Sequence, residues 1–286
     1  MLDRADRMVL AVHDVHAAAE TFATLLGAEV VRRDGCSLRA AGRVVMALGE
    51  SELELLQPDG TGPVQEHLNR KGEGLMAAGF SSPDIMALAA RWREMGVPFE
   101  TAGNQLLIGP PATPGFPMVI SASADRPRVG PVSYFYEATN ALVSDWREAA
   151  ATYVRLFDLD ASRFSEIGSP RFGYVGTLTL FDPPKRLDRI ELSQVTDSKH
   201  AMGRYAHKHG DCLYMCYIET HDIIGLLDRL LDNDAKLTPR GRDIMKEYDG
   251  FWVHPKDLHG MLLGVSRTKY AWNWSGRPEL VPPFKS

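Results

Sequence analysis

Glu191 stands on a strand-like segment with Arg189 and Ser193 on the same face. A carboxylate in that setting can take or give a proton. An aromatic surrounding would lift its pKa toward the working range of a general base. Tyr134, Tyr136, Ala138 and Asn140 alternate along 132–143, and Met215 and Tyr217 alternate along 213–219. Together they predict an aromatic, weakly polar pocket for a planar or hydrophobic molecule. Tyr136, Asn140, Tyr217 and His254 would bind or polarise an oxygen of that molecule. The alternative for Glu191 is a structural ion pair with Arg189 or another cation. For the aromatic residues it is ordinary core packing.

The elements that must hold these residues repeat. Lys71-Gly72-Glu73-Gly74-Leu75-Met76-Ala77-Ala78 returns 138 residues later as His209-Gly210-Asp211-Cys212-Leu213-Tyr214-Met215-Cys216. Apolar spacing predicts four amphipathic helices, after Asp14, Asp84, Asp145 and Asp222. In each case the Asp precedes the apolar face as an N-cap. A strand-like segment precedes each helix and two or three strands follow. The sequence thus reads as a four-fold βαβββ unit, an α+β chain in two halves. The expected divisions are 1–124, 131–267 and a tail at 268–286. That tail, with three prolines and scattered aromatics, is expected to wrap the surface or meet a partner without forming an element.

Composition narrows the function classes. Apolar residues make up 44% and charged residues 24%, as in a globular protein with a proper core. A net charge of -5 gives no electrostatic reason to expect nucleic acid or an anionic membrane. No apolar run approaches the roughly 18–20 residues of a membrane span. The mixed-charge N-terminus carries no signal-like stretch, so a cytoplasmic location is expected. Cys212 and Cys216 lie on one strand about 13 Å apart, too far for a disulfide. Gly72-Glu73-Gly74 lacks the context of a phosphate loop. His207 and His209 read as a solvated basic turn, and His259 as a turn cap before Gly260.

The strings Glu52-Leu53-Glu54-Leu55-Leu56-Gln57-Pro58, Gly72-Glu73-Gly74-Leu75 with Asp84-Ile85, Ile190-Glu191-Leu192-Ser193-Gln194, and Val253-His254-Pro255 through Gly260 resemble the vicinal oxygen chelate superfamily. That superfamily includes glyoxalases, methylmalonyl-CoA epimerases and extradiol dioxygenases. The first half looks most like an epimerase domain, and the tandem looks like ring-cleaving dioxygenases. The resemblance implies paired βαβββ modules, each pair curling into a cup with the site inside. It also implies metal ligands at four strand positions. In this chain those positions read Arg7, Glu54, Ala77 and Ile120, then Ala138, Glu191, Met215 and Gly264. A second register would bring Tyr134 or Tyr136 to the first slot of the second half. Only Glu54 and Glu191 remain, and one carboxylate does not hold a divalent ion against water.

The expectation is therefore an enzyme without metal or other cofactor, acting on a small aromatic or hydrophobic metabolite. The reaction would be proton transfer with isomerisation or bond cleavage. Glu191 would be the base, with His254 beside it and Tyr134, Tyr136, Asn140, Met215 and Tyr217 around the substrate. Two alternatives stay open. One is a non-catalytic protein that sequesters a small molecule. The other is an extradiol-type dioxygenase with atypical ligands. Assembly into a homo-oligomer is left open.

Overall fold

The structure is a computed structural model that describes residues 1–36, 39–240 and 250–282. The first half runs β1 (Arg4–Ala11), α1 (Val15–Leu26), β2 (Glu29–Cys36), β3 (Ala41–Leu48), β4 (Ser51–Pro58), α2 (Pro63–Lys71), β5 (Gly74–Ser82), α3 (Ile85–Glu94), β6 (Glu100–Ala102), β7 (Gln105–Ile108) and β8 (Met118–Ala122). The second half repeats the plan: β9 (Val132–Leu142), α4 (Trp146–Phe157), β10 (Ser165–Ser169), β11 (Tyr174–Leu178), β12 (Arg189–Val195), α5 (Ala201–His209), β13 (Cys212–Thr220), α6 (Ile223–Asp232), β14 (Leu237–Pro239), β15 (Phe251–Val253) and β16 (Leu263–Arg267). Each half is one eight-stranded sheet. The orders, β2-β3-β4-β1-β5-β8-β7-β6 and β10-β11-β12-β9-β13-β16-β15-β14, are the same topology. The four βαβββ modules of an α+β fold are present as read from the repeat.

The four Asp residues cap their helices. Asp14 accepts from the backbone N–H groups of His16 and Ala17, Asp84 from Ala87, Asp145 from Arg147 and Asp222 from Gly225. Such a cap contributes about 1 kcal/mol. The outer strands β2, β6, β10 and β14 carry little sequence signal. β2 is exposed along nearly its whole length and shows no apolar alternation, while β6 and β14 are three residues long. Two further helices, α2 and α5, interrupt the repeat just before β5 and β13. His207 and His209 belong to the last turn of α5.

One apolar core joins the halves. The helix-facing residues of both sheets, such as Leu55, Phe80, Phe135 and Cys216, share it with α1, α3, α4 and α6. Trp92 on α3 donates to the carbonyl of Leu156 at 2.9 Å and sets its ring edge against Phe157. Residues 125–131 carry the chain between the sheets, and there Gly49 pairs with Val129. Gly49 has φ 62°, and a Cβ on it would fall 2.3 Å from the Ser133 carbonyl oxygen. Only glycine fits that approach. Among the described residues no helix is long and apolar enough to cross a membrane.

The opposite faces of the sheets are the cups, and they are filled differently. In the first, Val64 and Leu68 of α2 pack on Val9, Ala77 and Val119. In the second, the tail does the filling, which corrects the expectation of a surface wrap. Residues Tyr270–Trp274 and Pro278–Leu280 form short 3-10 helices. Trp272, 1% exposed, packs with Tyr136, Met215 and Tyr217. The physical reason is area: the aromatic cup face would be left wet without a cover.

Candidate functional site

Equivalent strand positions follow from the pairing. Arg7 lies opposite Glu52 on β4 and Gly79 on β5; Glu137 lies opposite Arg189 on β12 and Tyr217 on β13. So Arg7 and Glu137 are equivalent, as are Glu52 and Arg189, and Glu54 and Glu191. The first-strand slot of the second half is thus Glu137, not Ala138, which faces the shared core. The slip has a local cause. Three steps separate Ala11 from Asp14, whereas four separate the equivalent Ala141 from Asp145. One extra residue in that connection displaces any count made back from the capping Asp. The slot on β8 is likewise Val119, the partner of Gly79, not Ile120. Both sequence assignments missed by one residue, which on a strand means the wrong face.

Both cups hold an ion pair across the same two strands, with its polarity reversed. In the first, Arg7 Nη1 lies 2.9 Å from Glu52 and 2.5 Å from Glu54. In the second, Arg189 Nε donates to Glu137 at 2.7 Å, with both side chains buried. The reversal decides the state of the next carboxylate. Glu54 is also 3.5 Å from Arg43. Burial works against its charge, yet Arg7 and Arg43 hold it below the usual carboxylate range. Glu191 meets Glu137 and has no ion-pair partner among the described residues, and Gly176 stands where the first half has Arg43. Burial and then the Glu137 carboxylate push Glu191 well above the usual range. Ser193 Oγ donates to Glu191 Oε1 at 2.5 Å, and Thr139 Oγ1 donates to Glu137 at 2.8 Å.

Glu191 is half-buried and opens on a cavity of about 360 Å³. The wall includes Phe172, Tyr174, Leu178, Arg240 and Trp274. Arg240 lies 3.5 Å over the Trp274 ring and 5.6 Å from that of Trp252. The cavity thus joins a carboxyl of raised pKa, aromatic surface and a guanidinium. Sequence reasoning missed Glu137, Tyr174, Arg240 and Trp274. The strand register alone could have pointed to Glu137. Arg240 and Trp274 arrive from distant segments and carry no local signal.

The predicted neighbours fall in three places. Tyr136, Met215 and Tyr217 share the second cup with Glu191, but they lie beneath the tail and do not line the cavity. Trp252 Nε1 donates to the Tyr217 hydroxyl at 2.9 Å, and Ser266 Oγ donates to the Tyr136 hydroxyl at 3.2 Å. Tyr134, half-buried, lies under the Arg186 guanidinium at 4.2 Å. Asn140 is on the other face. A bulge at Tyr136 breaks the expected alternation, and Asn140 Nδ2 donates to the Pro114 carbonyl at 2.9 Å, tying the halves together. His254 lies at the sheet margin, 2.8 Å from Thr238 Oγ1, and is not brought to Glu191. His259 bridges the halves through Glu73 and Thr21 rather than capping its turn locally.

Two findings from other proteins bear on this geometry. Residues 6–106 match the model of the Glyoxalase/Bleomycin resistance protein/Dioxygenase superfamily. Among solved structures, a mutant of 4-hydroxymandelate synthase from Streptomyces coelicolor superposes with a TM-score of 0.73 at 14% identity, covering 93% of both chains. The chain has the vicinal oxygen chelate fold. A xylose isomerase-like TIM barrel/4-hydroxyphenylpyruvate dioxygenase fusion protein matches with a TM-score of 0.62 at 12% identity, over 93% of this chain and 49% of its own. Methylmalonyl-CoA epimerase from Mycobacterium tuberculosis matches 48% of this chain at 19% identity, with a TM-score of 0.40. No curated protein sequence matches the chain.

The sequence resemblance implies a metal ion, but the residues at the implied ligand positions do not fit one. They read Arg7, Glu54, Ala77 and Val119 in one cup and Glu137, Glu191, Met215 and Gly264 in the other. Glu137 is committed to Arg189. A Cβ on Gly264 would fall 2.1 Å from the Tyr217 ring, so that ring fills the space a ligand side chain would need. Among the described residues no group of three or more His, Cys, Asp or Glu is placed to hold a metal.

Proposed function

We propose that this protein is a proton-transfer enzyme of the vicinal oxygen chelate fold that works without a metal ion. Its substrate would be a small aromatic or hydrophobic molecule with an acidic C–H beside a carbonyl. The observation that carries the reading is Glu191. It is a carboxyl with a pKa well above its usual range, open to an aromatic-lined cavity and without an ion-pair partner among the described residues, Arg189 being paired with Glu137. In its ionised form Glu191 takes the proton from carbon. The electron pair moves onto the carbonyl oxygen, where the Arg240 guanidinium stabilises the developing charge. In a substrate with a carbon–carbon double bond one position further from the carbonyl, returning the proton to the far carbon of that bond re-forms the carbonyl, shifts the double bond and completes an isomerisation. Ser193 holds the carboxyl in place through its hydrogen bond.

The test is deuterium incorporation from solvent into a panel of aromatic ketones and keto acids, followed by NMR. Wild type is expected to exchange at least one of them, and Glu191→Gln to lose about 10²–10⁴-fold in rate while still binding it. The stacked Arg240 and Trp274 also favour a second reading, a protein that only sequesters its ligand. Tight binding without exchange by wild type on every bound compound would establish that reading and sink the first.

A further inference from the structure

The first cup has a cavity of its own, about 520 Å³ in volume, whose wall includes Arg39, Arg43, Glu54, Gln105 and Leu107. We propose that it is a second ligand site, built to bind a small organic carboxylate through Arg39. Arg39 is 9% exposed, and its Nη1 is buried with no hydrogen-bond partner among the described residues. A buried guanidinium N–H left unpaired is costly, and such groups are rare unless something else satisfies them.

The other charged side chains on this cavity's wall, Arg32, Arg43 and Glu54, are already paired. Arg7, Arg32, Arg43 and Arg126 are paired with Asp6, Asp34, Glu52 and Glu54. Among the described residues Arg39 is the charged side chain of the wall that no ion pair matches. Glu54 attracts Arg39 without bonding to it, and burial still draws the Arg39 pKa below its ordinary value. One unmatched positive charge suits a monoanion, and the planar guanidinium fork matches a carboxylate. Inorganic phosphate, a mixture of monoanion and dianion at neutral pH, carries more than one negative charge on average and would overcompensate it. Leu107 and Gln105 leave uncharged wall for the body of the ligand, and the volume is within the usual range for a small-molecule site. This site lies in the opposite half from Glu191 and does not depend on its role.

The full chain is titrated calorimetrically with benzoate, acetate and inorganic phosphate. Saturable binding of benzoate, tighter than that of phosphate, is expected. Arg39→Gln should weaken it at least about tenfold, Arg39→Lys less, and Glu191→Gln should leave it unchanged. Leu107→Trp, which fills the cavity and keeps every charge, should also abolish it. This variant decides the matter if Arg39→Gln does not fold. The proposal is overturned if benzoate does not saturate, if phosphate binds tighter, if Glu191→Gln removes binding, or if Leu107→Trp or a folded Arg39→Gln retains wild-type affinity.

Discussion

The two cups share a topology, a strand register and a glutamate at the same position, yet they hold that glutamate in opposite electrostatic states. Glu54 is clamped between Arg7 and Arg43 and stays charged. Glu191 faces Glu137 across the equivalent strand pair and resists charge. Reversing one ion pair, Arg7 with Glu52 against Glu137 with Arg189, separates the two. A carboxylate's chemistry here is set by its cross-strand neighbour more than by its own place in the motif.

The comparison breaks most sharply at Arg7. Arg7→Met leaves Asp6 and Glu54 buried without their main cation. It should cost about 3–5 kcal/mol, read from urea unfolding at neutral pH. Because Arg7 holds both carboxyls below their usual range against burial, their contribution is present above the unfolded pKa and lost as pH falls. The gap between wild type and variant should therefore close in acid. A gap unchanged by pH would show that Arg7 acts through packing alone.

The second cup predicts the opposite slope. Burial lifts Glu219 to about 7, despite the N–H that Lys269 donates to it. The folded state then binds more protons than the unfolded one between the ordinary carboxyl range and about 7. Stability from this group is present at low pH and lost as pH rises through that window. Glu219→Gln should remove that fall, so wild type and variant should diverge between these limits in thermal melts. Parallel profiles would contradict it.

A smaller effect is expected at Gly264. Gly264→Ala drives a methyl into the Tyr217 ring and should cost about 1–3 kcal/mol by chemical denaturation. No loss would mean that the emptied ligand position is still roomy. The finest probe is Glu137→Gln, which removes the carboxylate beside Glu191 and leaves Arg189 free to approach it. The Glu191 pKa should fall, seen as an acid shift of its side-chain carbon titration in NMR. An unmoved titration would assign the shift to burial alone.

Much of this was legible in the sequence. The four capping Asp residues, the apolar helix faces and the recurring segment before β5 and β13 are local signals, and the structure reproduces them. Glu191 was singled out in the sequence, and the structure places it on a cavity wall. The pocket around it was not. Tyr136 and Tyr217 have the right period but lie under the tail, and Asn140 was turned away by a bulge. A single inserted residue before Asp145 hid Glu137 behind Ala138.

The sequence by itself therefore determined the modules and their order, because capping, apolar periodicity and repetition act over a few residues. Only the tertiary structure decided which face each side chain meets, which cation reaches which carboxylate, and that Trp272 and Trp274 would come back to cover the second cup. Those outcomes depend on bulges, strand pairing and long-range burial. A shift of one residue, invisible to a periodic pattern, reverses the face of a strand and with it the charge of the site.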